Sequence, residues 1–246
     1  MSSTPSPPYA SPAAVRPHRP LWARALALIT SPRSVFEEFI DRPSWFWPTM
    51  WLSIITIVIG FAMWDSVIAP YSLERAQSGG APAESIAKME EVFAKPATRI
   101  IGSVAPGAVN FLAIVIEGLC LFALTSFLMV GKATVKQSIA VASHAMLVHI
   151  PKAIIVVPLA IQKQDPTVTL GPGALLPVSE ATGYGQKVLA MILANLDLFN
   201  LWALALCILG MSVVSRLPAK QVAVAIVGAF LAWTVLSPLL FALFQK

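Results

Sequence analysis

The chain has 246 residues, of which 57% are hydrophobic and only 12% are charged. Soluble domains carry roughly 25% charged residues, so this composition leaves too little polar surface to cover a particle in water. A soluble enzyme, a disordered chain and a nucleic-acid-binding protein are therefore excluded, although the formal net charge is +5. The composition predicts an integral membrane protein.

The N-terminal region divides into a tail and a helix. Residues 1–20 are rich in proline and serine and have no apolar core, which is typical of a disordered cytoplasmic tail and not of a secretory signal. Ser31 and Pro32 then favour the start of a helix. Its apolar residues fall on one side and include Val35, Phe36 and Phe39. This pattern predicts an amphipathic helix that lies in the cytoplasmic interface of the bilayer.

Residues 21–246 are expected to form one all-α membrane domain of five transmembrane helices. Each predicted span has the roughly 20 apolar residues needed to cross the hydrocarbon core. The five spans are predicted at 46–64, 108–130, 139–161, 188–214 and 221–244. Pro106 and Gly107 favour a short lead-in before the second span.

The basic residues predict the orientation of the bundle. Nine lysines and arginines fall before span one, between spans two and three, and between spans four and five, against three acidic residues there. The loops on the other side hold seven bases and seven acids. Because the basic side faces the cytoplasm, we expect a cytoplasmic N-terminus and an external C-terminus.

Two loops on the outer side have recognisable features. Residues 84–95 place Ile86, Met89 and Phe93 at helical spacing and contain two oppositely charged i,i+4 pairs, which predicts an amphipathic surface helix. The loop 162–187 is rich in glycine and proline with few charges. We expect it to fold back onto the bundle.

Three segments together resemble a known family. They are 31–37 before an aromatic-rich entry to span one, 131–138 opening span three ahead of Pro151, and 196–202 followed by Leu209-Gly210. Their order and the five-span count resemble the bacterial branch of the Yip domain family, whose members are named for interaction with Ypt/Rab GTPases. The resemblance implies a non-enzymatic inner-membrane protein without cofactor or metal that assembles with other membrane proteins or with itself. Because bacteria lack Rab traffic, no Rab-type GTPase partner is expected.

Three charged residues fall inside the predicted spans, where a charge costs on the order of 3 kcal/mol. Counted from the outer ends of their spans, Glu117, Lys152 and Asp197 lie at one depth. Other polar residues share their helix faces: His149 with Lys152, Asn110 with Glu117, and Asn200 with Asp197. We therefore expect an intramembrane polar cluster of Glu117, His149, Lys152, Asp197, Asn110 and Asn200.

This cluster has two interpretations. In the first, Lys152 pairs with Glu117 or Asp197 and the cluster fixes helix register. In the second, two carboxylates and a histidine bind an ion, a proton or a small solute, and the protein is a small transporter or channel subunit. A lysine paired with one acid argues against a tight divalent-cation site.

The two cysteines are expected to pack within the bundle, and His144 is expected to be an interfacial or a packing residue. Cys120 and Cys207 lie in apolar stretches without the neighbours of a redox pair. His144 and His149 are about 140° apart on one helix and cannot bind one ion as an i,i+4 pair does. No nucleophile motif or phosphate-binding loop is present in the sequence, so an intramembrane hydrolase is not expected.

Overall fold

The computed structural model describes residues 19–177, 181 and 183–243. In these residues the chain is helical and contains no strand. The helices are α1 (Leu21–Thr30), α2 (Pro32–Asp41), α3 (Phe46–Met63), α4 (Ala69–Ser78), α5 (Ala83–Phe93), α6 (Pro96–Phe122), α7 (Val135–Ala145), α8 (His149–Lys163), α9 (Tyr184–Asn195), α10 (Leu198–Ser215) and α11 (Ala219–Leu243). The predicted tail lies outside the described residues, except for its last two positions.

Five stretches are long and apolar enough to cross a membrane, which confirms the predicted all-α five-span bundle. They are Phe46–Ser78, Pro96–Leu128, Val135–Lys163, Leu198–Ser215 and Ala219–Leu239. Along the chain each spanning helix packs against the next: α3 against α6, α6 against α7, α7 against α10, and α10 against α11.

The helices that contain the first two spans extend farther at the outer side than the predicted spans. The first helix continues past Trp64 through a π-helical segment, Trp64–Ile68, and on to Ser78. Because Pro70 has no N–H to donate to the preceding turn, a local π-helical adjustment there keeps the helix continuous. The second begins at Pro96 and passes through Pro106 without a break, as proline-containing transmembrane helices can.

The predicted N-terminal amphipathic helix forms as α2, but its apolar side does not face lipid. Val35, Phe36 and Phe39 are fully buried, and α2 packs against α7 and α10. A hydrophobic stripe in the sequence does not distinguish a lipid surface from a protein surface. The structure shows that α2 belongs to the core of the bundle.

Helix α1 carries the exposed apolar stripe that was expected of an interfacial helix. Trp22, Leu26 and Ile29 are exposed on one side, whereas Arg24 and Leu28 are buried on the other. The buried side attaches α1 to α2. The exposed side has the composition of a helix that lies at the membrane interface.

The three basic segments that predicted the cytoplasmic side meet at one end of the bundle. The Lys132 N–H donates to the Ser215 carbonyl at 2.9 Å, which joins the loop between spans two and three to the loop between spans four and five. The Gln137 side chain donates to the Ile40 carbonyl at 2.9 Å, which joins α7 to the end of α2. The relative sidedness of these segments is therefore as expected from the sequence.

Glycines allow close approach between neighbouring helices, as is common in membranes. A Cβ atom added to Gly118 on α6 would lie 2.5 Å from the Cα of Ile139 on α7. A Cβ added to Gly60 on α3 would lie 3.1 Å from backbone atoms of Ser103 on α6. The positions of α3, α6 and α7 thus depend on glycines.

We expect the Gly118→Ala variant to lose about 1–3 kcal/mol of unfolding free energy, the usual cost of overpacking, because the new methyl group meets backbone. Gly228→Ala on α11 is the matched control, since nothing lies within 4 Å of its added Cβ. The control should be neutral or slightly more stable, as alanine favours the helix. Thermal unfolding of both variants in the same detergent measures the difference, and equal stabilities would contradict the packing.

Candidate functional site

The predicted fourth span is broken where its acidic residue lies. Helix α9 ends at Asn195 and α10 begins at Leu198. The side chain of Asp197 caps α10, because its Oδ1 accepts from the backbone N–H groups of Phe199 at 2.8 Å and Asn200 at 3.0 Å. The prediction of one continuous span over 188–214 was therefore wrong. An aspartate at an N-cap satisfies helix donors that a lipid environment cannot satisfy.

Lys152 completes the hydrogen bonding of this carboxylate. Its Nζ donates to Asp197 Oδ2 at 2.6 Å. The Asp197 side chain is 1% exposed and that of Lys152 is 24% exposed. Of the two partners predicted for Lys152, the structure selects Asp197. The pair connects α8 to the start of α10.

The third span also changes its helical form near Lys152. A short 3₁₀ segment, Met146–Val148, separates α7 from α8. Pro151 explains this segment, because it has no N–H to donate to the carbonyl of Leu147 four residues earlier. Two irregular helix segments thus lie beside each other at the polar cluster.

Asn200 and His149 extend the network to a third helix. Asn200 Nδ2 donates to the Asn195 carbonyl at the end of α9 at 3.0 Å. Its Oδ1 lies 3.0 Å from His149 Nε2 and accepts from Lys152 Nζ at 3.4 Å. Asn195 was not predicted to belong to the network, although an asparagine in an apolar run, five residues before Asn200, indicates a polar contact. The network holds α8, α9 and α10 together.

His149 lies between two oxygen atoms. Its Nδ1 is 3.2 Å from the Met146 carbonyl and its Nε2 is 3.0 Å from Asn200 Oδ1. A neutral imidazole has one N–H and can donate to only one of these acceptors, whereas an imidazolium donates to both. The ring therefore lies between the 3₁₀ segment and α10.

A cavity of about 280 Å³ lies next to His149, between α3, α6 and α8. Its walls are mainly apolar and include Ile59, Ile114 and Ile150; its polar side chains are Thr56, Asn110 and His149. Asn110 thus reaches the neighbourhood of the predicted cluster from α6. Within the described chain it faces the cavity and makes no hydrogen bond to Lys152, Asp197 or Asn200.

Glu117 does not belong to this cluster, so its predicted place there was wrong. Its Oε1 accepts a weak hydrogen bond from the Cys207 thiol at 3.6 Å, and Cys207 lies ten residues along α10 from Asp197, which is about 15 Å. The error comes from the start of α6. The helix begins at Pro96, so Glu117 lies twenty-one residues from the outer end instead of nine.

The two cysteines and His144 differ in their burial. Cys207 is buried as expected, but Cys120 is exposed on the outside of α6, so it does not pack in the bundle. His144 is fully buried, with its ring centroid 4.5 Å from that of Phe39 on α2 and its Nδ1 2.9 Å from the Ala140 carbonyl. Of the two roles expected for His144, interfacial or packing, the structure shows packing.

One buried ion pair was missed. Arg24 on α1 is 3% exposed, its Nε lies 3.1 Å from a carboxylate oxygen of Glu38 on α2, and its guanidinium lies 5.7 Å from the centroid of the Phe39 ring. In the sequence, both charges indicate only the cytoplasmic side of the bundle. Fourteen residues and a turn separate them, so no helical spacing could indicate their contact.

The described residues contain no group of three or more His, Cys, Asp and Glu side chains that could hold a metal ion. The comparison with protein families decides the classification: the Yip1 domain matches residues 26–243. The chain belongs to the Yip1 domain family. No curated protein and no solved structure matches it.

The Yip1 domain match covers all five spanning helices together with α2 and half of α1. The segments that carried the resemblance in sequence have defined structural positions. The first forms the buried helix α2, the second opens α7 with a capping box between Thr134 and Gln137, and the third contains the Asp197 cap.

Proposed function

We propose that this Yip1-family chain is a non-enzymatic multi-pass membrane protein that assembles with other membrane proteins or with itself. We further propose that it lies in the bacterial inner membrane with its N-terminal end in the cytoplasm. The observation that carries the proposal is an exposed helical surface at the end of the bundle opposite the basic loops. It is formed by α4 and α5 (residues 69–93), which we call the α4–α5 hairpin.

Helix length supports a projecting hairpin. The two spanning helices that the hairpin connects are 33 residues each, Phe46–Ser78, whose last ten residues are α4, and Pro96–Leu128, or about 50 Å at 1.5 Å per residue. The hydrocarbon core is about 30 Å thick, and tilts rarely exceed about 40°. Even at that tilt, about 8 Å of each helix remains outside the core. The other ends lie at the basic loops, so the excess is on the hairpin side.

The surface of the hairpin is available to a partner. No residue of α4 or α5 is buried. The Phe93 ring packs on Trp64 with centroids 5.9 Å apart, and Arg99 pairs with Asp65 at 3.0 Å. These contacts fix the base of the hairpin to the bundle. The predicted i,i+4 pairs Glu84–Lys88 and Glu91–Lys95 form at 2.7 and 2.9 Å and stabilise α5 as a separate helix.

The intramembrane charges give weaker support to the transport alternative. The Lys152 ammonium already pairs with the Asp197 carboxylate, and Glu117 lies outside the cluster, next to Cys207. The side chains of His149, Lys152, Asp197 and Asn200 each contact another helix, as expected of residues that fix helix positions. Transport of an ion or solute therefore stays a prediction from sequence.

Site-specific photocrosslinking tests the assembly proposal. A photoreactive amino acid is placed at Ala87 or Glu90, which are exposed on α5, and the matched control position is Val224, which is 71% exposed on the lipid-facing side of α11. We expect the same discrete protein adduct from both α5 positions and none from Val224. Mixed differently tagged copies identify self-association. Only lipid adducts at α5, or the same adduct from Val224, would contradict the proposal.

A further inference from the structure

The basic residues at the α2 end of the bundle divide into two groups. Three on α1, α2 and the residues before α1 are paired: Arg19 and Arg24 with Glu38 at 3.3 and 3.1 Å, and Arg33 with Glu37 at 3.3 Å. These contacts engage two of the three carboxylates that this end offers. The positive charge of α1 and α2 is therefore largely neutralised within the protein.

Five further bases at this end have no such partner. They are Arg42, Lys132, Lys136, Arg216 and Lys220, all exposed, and no ion pair joins any of them to a carboxylate in the part of the chain that the structure describes. Asp41 is the one remaining described carboxylate of this end. We call these five residues the basic patch.

The fold brings the basic patch together from three separate segments. The sequence alone offers only two bases per loop, which is too sparse for a headgroup site. The Lys132–Ser215 backbone hydrogen bond places Lys132 beside Arg216, and the Gln137–Ile40 hydrogen bond places α7 beside the segment that carries Arg42. Val130 and Arg216 adopt left-handed backbone conformations, with φ of 56° and 59°, which set the two loop turns.

An exposed apolar surface adjoins the basic patch. Phe127, Leu128 and Val130 are 77%, 68% and 85% exposed, and they immediately precede Lys132 at the end of the second span. Such side chains suit contact with acyl chains. Unpaired lysines and arginines next to them suit phosphate oxygens.

We propose that the basic patch and its apolar flank bind an anionic phospholipid, with the headgroup phosphate on the bases and the acyl chains on Phe127, Leu128 and Val130. An acidic protein segment could pair with the bases, but it would leave the apolar side chains at the membrane boundary without a partner. Orientation during membrane insertion requires only the number of bases per loop and no contact between loops. This inference stands apart from the proposed assembly through the α4–α5 hairpin, which lies at the opposite end.

Lipid titration of the purified full-length chain tests the proposal. Native mass spectrometry in mild detergent counts bound dioleoyl phosphatidylglycerol and dioleoyl phosphatidylcholine. We expect preference for phosphatidylglycerol, reduced by salt. The Lys132→Gln/Lys220→Gln variant should bind phosphatidylglycerol about 25-fold more weakly, or about fivefold for each cation lost.

The matched control is Lys88→Gln/Lys95→Gln, which removes two exposed lysines at the opposite end and should keep wild-type lipid binding. Circular dichroism confirms that both variants are folded. Phe127→Ala/Leu128→Ala should weaken binding of the long-chain lipid but not of a soluble short-chain analogue. Equal binding of both lipids, or an equal loss of binding in the control variant, would overturn the proposal. So would a glutamate-rich peptide that displaces phosphatidylglycerol and binds the wild type and the Phe127→Ala/Leu128→Ala variant equally well.

Discussion

Replacing Lys152 by methionine should lower the unfolding free energy by about 3–5 kcal/mol, the range expected when one partner of a buried ion pair is removed. Methionine fills a similar volume but leaves the Asp197 carboxylate without its cation. Because that carboxylate is 1% exposed, it cannot recover the lost interaction from water. Denaturant unfolding in micelles, followed by tryptophan fluorescence, measures the change.

The reciprocal variant, Asp197→Asn, should have a smaller effect of about 1.5–3 kcal/mol, the value of hydrogen bonds to a charged group. Asparagine still caps a helix well, so the bonds to Phe199 and Asn200 can persist. Lys152 is 24% exposed, and its long stem can carry the ammonium toward water. A larger loss for Asp197→Asn than for Lys152→Met would contradict this description of the pair.

Truncation of Phe36 should have a similarly large effect. Phe36 is fully buried, and a Cβ added to Gly210 on α10 would lie 2.9 Å from its ring, so the ring fills the space that this glycine leaves. Phe36→Ala therefore removes a ring that neighbouring helices cannot replace. We expect a loss of about 3–5 kcal/mol, measured by the same unfolding experiment.

Trp22→Ala is the control for that variant, because Trp22 is also an N-terminal aromatic residue but is 68% exposed. Its removal should change the unfolding free energy by no more than about 0.5 kcal/mol. If Phe36→Ala proved as mild as Trp22→Ala, α2 would lie on the bilayer as the sequence predicted and not within the bundle.

The number and order of spans could be predicted because they depend on chain length and hydropathy alone. The outer ends of the spanning helices could not be predicted. Pro106 was interpreted as a boundary, but a helix in a packed membrane bundle can pass through proline. Conversely, Leu196 and Asp197 lie within an apolar run that looks continuous, although aspartate is a preferred N-cap residue and marked the actual break.

The residues of the candidate cluster could be grouped only in part from the sequence. The structure brings Lys152, Asp197, His149 and Asn200 together close to the irregular segments of two neighbouring helices. Glu117 was assigned to the wrong level because its depth was counted from the wrong helix start. Depth along a helix can be derived from sequence only when its end is known.

Contacts between distant segments had no signal in the sequence. The stripe on α2 indicated an apolar neighbour but not which one, and the structure identifies α7 and α10. The bases of two loops were counted separately, although a single backbone hydrogen bond from Lys132 to Ser215 unites them. Such contacts depend on how the helices are arranged in the bundle, and residue spacing within one helix does not indicate them.

A double-mutant cycle on Lys152 and Asp197 tests most directly whether the intramembrane charges are structural contacts between helices. The wild type, Lys152→Met, Asp197→Asn and the double variant are compared by unfolding in micelles and by proton and cation flux in proteoliposomes. We predict that the double variant recovers at least 1 kcal/mol relative to the sum of the single losses, with no flux that depends on either residue. Additive losses, or a flux that disappears in a fully folded variant, would contradict a structural role and favour transport.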